Sequence, residues 1–199
     1  MKTCILIRHA ATAGNAEKRY IGRRTDEDIL DIEKAQVHRV AEDIQNIITD
    51  PFVISGPLKR CLSTAYTLLP SYDVRIEEGL SEIDFGSFEG KTYDELKDLK
   101  DYRDWISGEL LSPPGGESKD EFIKRSVNAF FDSLRSAADA KELLIVCCGG
   151  NIMAIMSHLT GKDYYDFQAG NLEGYTLRFE YDEGIHDLSY DRFVGGNNT

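Results

Sequence analysis

The sequence is short of basic residues, and this shortage excludes several classes of ligand. Its 199 residues include 23 lysines and arginines against 35 aspartates and glutamates, which gives a formal net charge of −12. No basic stripe is available to follow a nucleic-acid backbone, and an anionic membrane surface would repel the chain. We therefore expect neither nucleic acid nor a membrane as a partner. An anionic substrate would have to be held by a few local arginines against an unfavourable overall field.

Paired cysteines and long apolar runs are also missing. The 4 cysteines form no C-x-x-C and no regular disulfide spacing, which favours reduced thiols in the cytoplasm. No run approaches the roughly 20 apolar residues of a membrane span, and the first apolar run is too short for a signal peptide. With 41% hydrophobic and 29% charged residues, the composition is that of a globular domain. We predict a cytoplasmic protein with a single domain over residues 1–194 and a flexible tail over 195–199.

Short apolar, β-branched runs alternate with stretches of helical periodicity along the chain. This alternation predicts an α/β fold with a mainly parallel central sheet and helices on both faces. Residues 118–121 match a capping box, and residues 182–184 read as a hairpin turn. The predicted strands cover 3–7, 52–55, 72–76, 143–147, 175–181 and 185–190. The predicted helices cover 31–49, a stretch after Pro57, parts of 93–105, 118–138 and 149–158.

Polar residues follow three of the predicted strands. Arg8 and His9 follow the first, Arg60 lies one helical turn beyond the second, and Gly149 follows the fourth at the start of a helix. Open α/β sheets bind ligands beyond the carboxyl ends of their strands. Guanidinium groups together with the free N–H groups of a helix start make a phosphate site. The spacing alone therefore predicts an anion site in an α/β domain.

Two further side chains would allow chemistry at this site. A histidine pointing into a phosphate site attacks phosphorus when a carbonyl orients its other ring nitrogen, and His9 is placed to do so. A carboxylic acid would protonate the leaving oxygen, and Glu82 in a glycine-containing loop is the candidate. Each feature alone is weak evidence, since an arginine near a helix start is most often solvated and Glu82 is one of many surface acids.

Six segments in order resemble the histidine phosphatase superfamily, in its phosphoglycerate mutase-like branch. The first, R-H-A-A-T-A-G-N at residues 8–15, is similar to the family's R-H-G-E-T-x-x-N. Together the segments extend over nearly the whole chain, which makes the resemblance far more specific than any one motif. The other five are R-Y-I-G at 19–22 with Asp26, S-G-P-L-K-R-C-L-S-T-A at 55–65, L-S-E-I-D-F-G-S-F-E-G at 80–90, G-G-E-S at 115–118 and L-I-V-C-C-G-G at 144–150.

The resemblance implies a three-layer fold and a role for each matching residue. His9 would accept the phosphoryl group as a phosphohistidine, and Glu82 would be the proton donor and later the base for water. No metal and no cofactor are implied, because arginines supply the positive charge. The implied substrate is a small phosphorylated metabolite. The residues implied to bind its phosphate are Arg8, Asn15, Gly22, Arg60 and Gly149.

The chain departs from the family pattern at two places. Cys148 stands where the family has a second histidine that donates a hydrogen bond to the phosphoryl group. A thiol is a weaker donor, and loss of one good transition-state donor costs about 10²–10³ in rate. Two nearby arginines would lower the pKa of Cys148, and a bound phosphate would raise it again. Ala10 replaces a glycine and would be strained if the turn after His9 needs a positive φ.

Three functions remain open on this evidence. The first is a phosphomonoester hydrolase, impaired to the extent that Cys148 fails to replace the second histidine, of a size similar to short phosphatases such as α-ribazole phosphatase. The second is a catalytically silent phosphate-ligand binder, and the third is a mutase-type phosphotransferase. A cysteine phosphatase is excluded because no C-x5-R begins at Cys147 or Cys148, and no P-loop or zinc spacing occurs. We expect residues 19–28, residues 102–114 and the surroundings of Asn171 to determine which substrate is bound. Within these segments, Tyr20, Tyr102 and Trp105 would form either an apolar wall or part of the core.

Overall fold

A six-stranded mixed sheet forms the centre of the computed structural model, which describes residues 1–182 and 184–196. Its strands are β1 (Lys2–Arg8), β2 (Phe52–Ser55), β3 (Val74–Ile76), β4 (Glu142–Cys147), β5 (Glu173–Tyr181) and β6 (Ile185–Val194). They are ordered β3-β2-β4-β1-β5-β6. Strands β1 to β4 are parallel, β5 runs antiparallel to β1, and β6 runs antiparallel to β5. The predicted, mainly parallel sheet is therefore confirmed.

Helices cover both faces of this sheet, as the sequence predicted. They are α1 (Ala13–Ala16), α2 (Lys34–Gln45), α3 (Lys59–Leu68), α4 (Tyr93–Leu96), α5 (Lys100–Ser107), α6 (Lys119–Ser136) and α7 (Gly149–Thr160). Short 3₁₀ turns lie at Asp31–Glu33, Glu78–Leu80, Gly86–Phe88 and Tyr164–Phe167. The predicted capping box at the start of α6 is present, since the Ser118 hydroxyl accepts from the Glu121 N–H at 3.3 Å.

The helix predicted over 31–49 is shorter than expected at both ends. It begins as a 3₁₀ turn, becomes α-helical at Lys34 and ends at Gln45. The N–H groups of Ile47 and Ile48 both donate to the carbonyl of Ile44, which makes a turn in place of another helical step. Ile48 still enters the core with 1% of its surface exposed. The apolar residues therefore keep a helical spacing beyond the end of the helix, because the turn also places Ile48 in the core.

Two apolar layers hold the helices against the sheet. The side chains of β1 alternate between them, with Ile5 and Ile7 facing one layer and Cys4 and Leu6 facing the other. Helices α2 and α3 pack on the first layer, and α6 and α7 pack on the second. This sandwich leaves the carboxyl ends of the parallel strands open, where ligands of α/β proteins bind.

The register of the parallel strands determines which residues meet at that open edge. Arg8 at the end of β1 lies beside Cys147 at the end of β4, and Ser55 at the end of β2 lies beside Val146. The segments that leave these strands therefore start at one level of the sheet. No helix among the described residues is long and apolar enough to cross a membrane. Glu183 of the predicted hairpin turn and residues 197–199 of the predicted tail lie outside the described residues.

Candidate active site

His9 directly follows β1, and backbone contacts hold it in place. Its N–H donates to the Cys147 carbonyl at 3.1 Å, and its carbonyl accepts from Asn171 Nδ2 at 2.9 Å. The ring Nδ1 lies 2.8 Å from the Ala10 carbonyl oxygen. Because a carbonyl only accepts, Nδ1 carries the proton and Nε2 keeps a free lone pair in the neutral ring. This is the orientation by a carbonyl that the sequence analysis expected of a nucleophilic histidine.

Two arginines at the same edge, Arg60 buried and Arg8 partly buried, each have one donor without a partner among the described residues. Arg60, with 1% of its surface exposed, donates to the carbonyls of Thr25 at 2.8 Å and Gly22 at 3.1 Å. Arg8 donates from Nη1 to the Ala169 carbonyl at 2.9 Å. The Nε atoms of both arginines are buried without a hydrogen-bond partner among the described residues. Buried polar groups are normally paired, so these donors call for an acceptor such as a phosphoryl oxygen.

Gly22 supports this arrangement through its backbone. Its N–H donates to Glu89 Oε1 at 2.9 Å, and its carbonyl accepts from Arg60. A Cβ at this position would lie 2.3 Å from the Ile83 carbonyl oxygen, so only glycine fits between the two segments. Because its N–H is already engaged, Gly22 positions Arg60 in this structure and points no donor at the cleft.

Glu82 faces the start of α7. Its carboxylate accepts from the N–H groups of Ile83 at 2.9 Å and Gly150 at 3.3 Å. Burial, assisted by the charge of Cys148, raises the pKa of Glu82 to about 7. A carboxylic acid that keeps its proton close to neutral pH is suited to protonate a leaving oxygen.

Cys148 is fully buried at the first turn of α7. Its N–H donates to Asn151 Oδ1 at 3.2 Å, and its Sγ lies 3.7 Å from the Sγ of Cys61. The hydrogen bond from the Cys61 thiol, followed by the charge of Arg60 and the contact with His9, outweighs burial and holds the pKa of Cys148 well below its usual range. The sequence predicts a lowered pKa of Cys148 from the arginines alone, whereas the hydrogen bond from Cys61 lowers this pKa the most.

The same surroundings change the pKa of the His9 ring. Burial is the main reason that the pKa of His9 lies below its usual value, and the charges of Arg60 and Arg8 act in the same direction. Contact with Cys148 opposes this change without reversing it. The imidazole is therefore held in its neutral form, which is the form that can attack an electrophile.

A cleft of about 270 Å³ opens over these groups. Asn15 lines it, and the Asn15 Oδ1 accepts from the Thr12 N–H at 3.2 Å and from Asn171 Nδ2 at 3.3 Å. His9 and Arg60 have almost no exposed surface and are not among the residues that line this cleft. The structure thus brings the predicted site residues to one edge of the sheet. Those that line the cleft itself are Arg8, Asn15, Glu82 and Gly149.

The expected strain at Ala10 is absent, and that expectation was wrong. Ala10 is not one of the described non-glycine residues with a positive φ, which are Lys18, Leu172 and Asp187. Its N–H donates to Thr64 Oγ1 at 3.0 Å, which holds the turn after His9 against α3. The turn therefore has no need of glycine.

The sequence does not reveal several residues that lie at or beside the site. Tyr102 belongs to the core, whereas Tyr20 and Trp105 line a second cleft of about 350 Å³ beside the first. Lys119 and Tyr164 also line this second cleft, and neither stands in a recognisable motif position for such a role. Cys61 was visible as the neighbour of Arg60 in the sequence, but only the fold shows its contact with Cys148.

Comparisons with known proteins find similar sequences and similar folds. A bifunctional protein of Mycobacterium tuberculosis is 31% identical over 160 residues, which cover 78% of this chain and 41% of the relative. The chain thus spans about two fifths of the length of the mycobacterial relatives it matches. A phosphoserine phosphatase from Entamoeba histolytica, solved with 3-phosphoglyceric acid, has a TM-score of 0.81 and 28% identity over 98% of both chains.

Further similarity concerns the fold and the family. The α-ribazole phosphatase of Shigella flexneri has a TM-score of 0.79 at 22% identity, covers 89% of this chain and 91% of its own, and shares its fold. The family model of the histidine phosphatase superfamily (branch 1) matches residues 4–189 of this chain. The ordered motifs, the phosphoglycerate mutase-like sheet and this match lead to one conclusion: the chain belongs to the histidine phosphatase superfamily, branch 1.

Proposed function

We propose that the chain is a metal-independent phosphomonoester hydrolase that acts on a small phosphorylated metabolite through a phosphohistidine on His9. One observation carries the proposal, namely the convergence of three kinds of group at one edge of the sheet, beside the cleft. These are a neutral histidine with an oriented ring, two guanidinium groups with unpaired Nε atoms, and a carboxyl with a pKa of about 7. Such a set provides a nucleophile, charge stabilisation and a proton donor.

In the first step, the lone pair of His9 Nε2 forms a bond to phosphorus. The bond between phosphorus and the leaving oxygen breaks, and the protonated carboxyl of Glu82 gives its proton to that oxygen. Arg8 and Arg60 hold the phosphoryl oxygens, whose charge spreads in the transition state. The hydrogen bond from Nδ1 to the Ala10 carbonyl stabilises the positive charge that develops on the ring.

In the second step, water takes the place of the departed alcohol. The Glu82 carboxylate accepts a proton from this water, whose oxygen forms a bond to phosphorus. The bond between phosphorus and His9 Nε2 breaks, and inorganic phosphate leaves. Glu82 recovers its proton and His9 its lone pair, so the cycle closes without a metal or a redox partner.

Cys148 is the part of this mechanism that departs from the family pattern. We propose that it occupies the place of the second histidine, because it lies against both His9 and Arg60. A thiolate there repels the phosphoryl group, and a neutral thiol donates weakly. Turnover is therefore expected to be slow. This feature is also what favours the second candidate function, a phosphate-ligand binder without turnover.

The test is hydrolysis of para-nitrophenyl phosphate between about pH 4 and 8 in the presence of a chelator. We expect measurable hydrolysis by the wild type and none above background by His9→Ala. Cys148→His is expected to raise the rate by about 10²–10³, since it restores a transition-state donor. Mass spectrometry under alkaline conditions, where phosphohistidine is stable, would detect the intermediate on His9.

Equal rates for the wild type and His9→Ala would contradict hydrolysis through His9 and would favour the binder. Phosphate binding measured by calorimetry then separates a binder from a protein without an anion site. A Cys148→His variant that folds but gains no activity would show that the thiol is not the limiting defect. Cys4→Ala is the matched control for loss of a buried thiol remote from the site, because Cys4 packs in the core beneath the sheet.

A further inference from the structure

The second cleft adjoins the first cleft, which Arg8 and Asn15 line, and is open to solvent. Its volume is about 350 Å³, and the two clefts share Tyr20, Glu82, Phe85, Gly150 and Met153. Glu82 therefore lies at the boundary between them. Because the proposed mechanism has Glu82 protonate the leaving oxygen, the rest of the leaving group extends into the second cleft.

Aromatic rings make one wall of this cleft. Tyr20, Phe85 and Trp105 contact one another edge to face, with ring centroids 5.1 to 6.1 Å apart. Tyr164 stands among the other lining residues, and its hydroxyl donates to the Gly150 carbonyl at 3.4 Å. Rings that hold one another in this way present a flat apolar surface with little freedom to move. The wall suits a flat or apolar group of the ligand.

A single cation lies on another side of the same cleft. The ammonium group of Lys119 is 4.3 Å from the ring centre of Tyr164 and 4.6 Å from that of Tyr165. Within residues 1–182 and 184–196, this ammonium forms no ion pair with a carboxylate. The one acid that lines the cleft, Glu82, is engaged with the backbone N–H groups of Ile83 and Gly150.

The absence of a carboxylate partner is informative in so acidic a chain. With 35 acidic residues available, the lysine of this cleft is held by two aromatic faces instead. A cation over aromatic rings keeps its charge and remains open to an anion on its free side. The rings thus orient Lys119 without neutralising it.

From this arrangement we infer that Lys119 determines substrate specificity by binding an anionic group on the leaving alcohol, whose flat or apolar body rests on the aromatic wall. The inference rests on the proposed function, because it takes the leaving group to occupy the second cleft. The substrate class is a phosphomonoester of an apolar or aromatic alcohol that carries a carboxylate or a similar anion.

The test compares two esters that differ in charge, para-carboxyphenyl phosphate and its uncharged counterpart para-carbamoylphenyl phosphate. The ratio of their kcat/KM values is measured for the wild type and for Lys119→Met, which keeps an apolar stem without charge. We expect the ratio to fall about ten-fold in Lys119→Met, as for one partly exposed charge pair. The comparison of ratios cancels the different reactivity of the two leaving groups.

Two control variants separate specificity from structure. Lys119→Arg keeps the charge, and its ratio should stay within about two-fold of the wild type. Lys124→Met removes the same charge from an exposed position of α6 that lines a different groove, and its ratio should not change. If Lys124→Met lowers the ratio as much as Lys119→Met, the effect is one of overall charge and the inference is overturned.

A binding measurement keeps this inference distinct from the proposed function. Trp105 is the only tryptophan of the chain and lies in the wall of the cleft, so its fluorescence reports occupancy without any phosphoryl transfer. We expect para-hydroxybenzoate to bind about ten-fold more tightly than para-hydroxybenzamide, and Lys119→Met to remove this difference.

The outcomes divide cleanly between the two hypotheses. Charge-selective binding that Lys119→Met abolishes, without hydrolysis of either ester, would sustain anion binding by Lys119 but refute the hydrolase and the substrate class with it. Hydrolysis that depends on His9 with an unchanged ratio in Lys119→Met would sustain the hydrolase and overturn the inference. The inference also fails if neither alcohol gives a saturable change in fluorescence.

Discussion

Burial shifts the pKa values of the proposed nucleophile and the proposed proton donor in opposite directions. It lowers the pKa of His9 and raises the pKa of Glu82 to about 7. Both changes favour the neutral form, because a low-dielectric site penalises whichever form is charged. The nucleophile is therefore free of its second proton while the acid still carries its own. This combination disappears as Glu82 ionises.

The kcat/KM of the wild type is accordingly expected to fall as the pH rises through about 7. Glu82→Gln removes the titrating group, so we expect this alkaline decline to vanish and the rate to drop by about 10²–10⁴. A pH profile of both proteins with an unactivated aryl phosphate checks the prediction. An alkaline decline that persists in Glu82→Gln would assign it to another group.

The same ionisation should be visible in stability, which provides a control that needs no activity. A raised folded-state pKa means that the protonated carboxyl is the form the fold prefers. Its contribution is complete below the unfolded value near 4.5 and is lost as the pH rises through about 7. Relative to Glu82→Gln, the wild type should lose at most about 3 kcal/mol of unfolding free energy over this interval. Urea unfolding at several pH values measures the difference, and a constant difference would contradict the raised pKa.

At the scale of single elements, close packing constrains the start of α7 at one of its two glycines. A Cβ on Gly150 would lie 2.3 Å from Glu82 Oε1 and 2.9 Å from the Phe122 ring. A Cβ on the adjacent Gly149 would lie no closer than 3.4 Å to any neighbour, the Arg8 side chain. The glycines are neighbours in sequence, yet only one of them is required by close packing.

Gly150→Ala is therefore expected to lower the free energy of unfolding by about 1–3 kcal/mol, because an added methyl group overpacks the core. Gly149→Ala is the matched control, and it should be neutral or gain up to about 1 kcal/mol from helix propensity. Thermal unfolding of the two variants checks the pair. Equal effects would show that the contact between α7 and the Glu82 loop is looser than described.

The elements differ in how far the sequence could predict them. The end of β1 at Arg8 and the start of α7 at Gly149 follow from an apolar run that stops and a glycine pair that turns the chain. The contact of Cys61 with Cys148 depends on how α3 packs against the end of β4, and no local pattern encodes that distance. The same holds for Lys119 and Tyr164, which lie far apart in the chain and meet only because α6 and the turn after α7 approach the same cleft.

At the scale of the whole molecule, the acidic surface opposes the charge of the proposed substrate. The chain carries a net charge of −12, whereas the arginines proposed to bind phosphate are Arg60, which is buried, and Arg8, which is partly buried. Long-range repulsion between exposed charges is screened by salt, but interactions with buried charges are screened much less. The surface therefore slows the approach of an anion that the site itself attracts.

We expect kcat/KM for an aryl phosphate to rise about two- to three-fold when ionic strength increases from about 0.02 M to 0.2 M. Sucrose at matched viscosity and a second salt control for solvent and specific ion effects. A decrease common to both salts would mean that local attraction outweighs the surface field. An anion that lowers the rate in one salt only would indicate competition at the arginines.

The direction of β1 also governs how the protein can be handled. Arg8 at one end of this strand touches the cleft, while Lys2 begins the strand of 7 residues, about 20 Å away along an extended chain. The exposed Met1 therefore lies at the opposite edge of the sheet from the cleft. Attachment to a sensor surface through this terminus should leave the entire ligand-binding face turned towards the solution. The protein is thus suited to immobilised screening of phosphorylated compounds, with no tag near the groups that would recognise them.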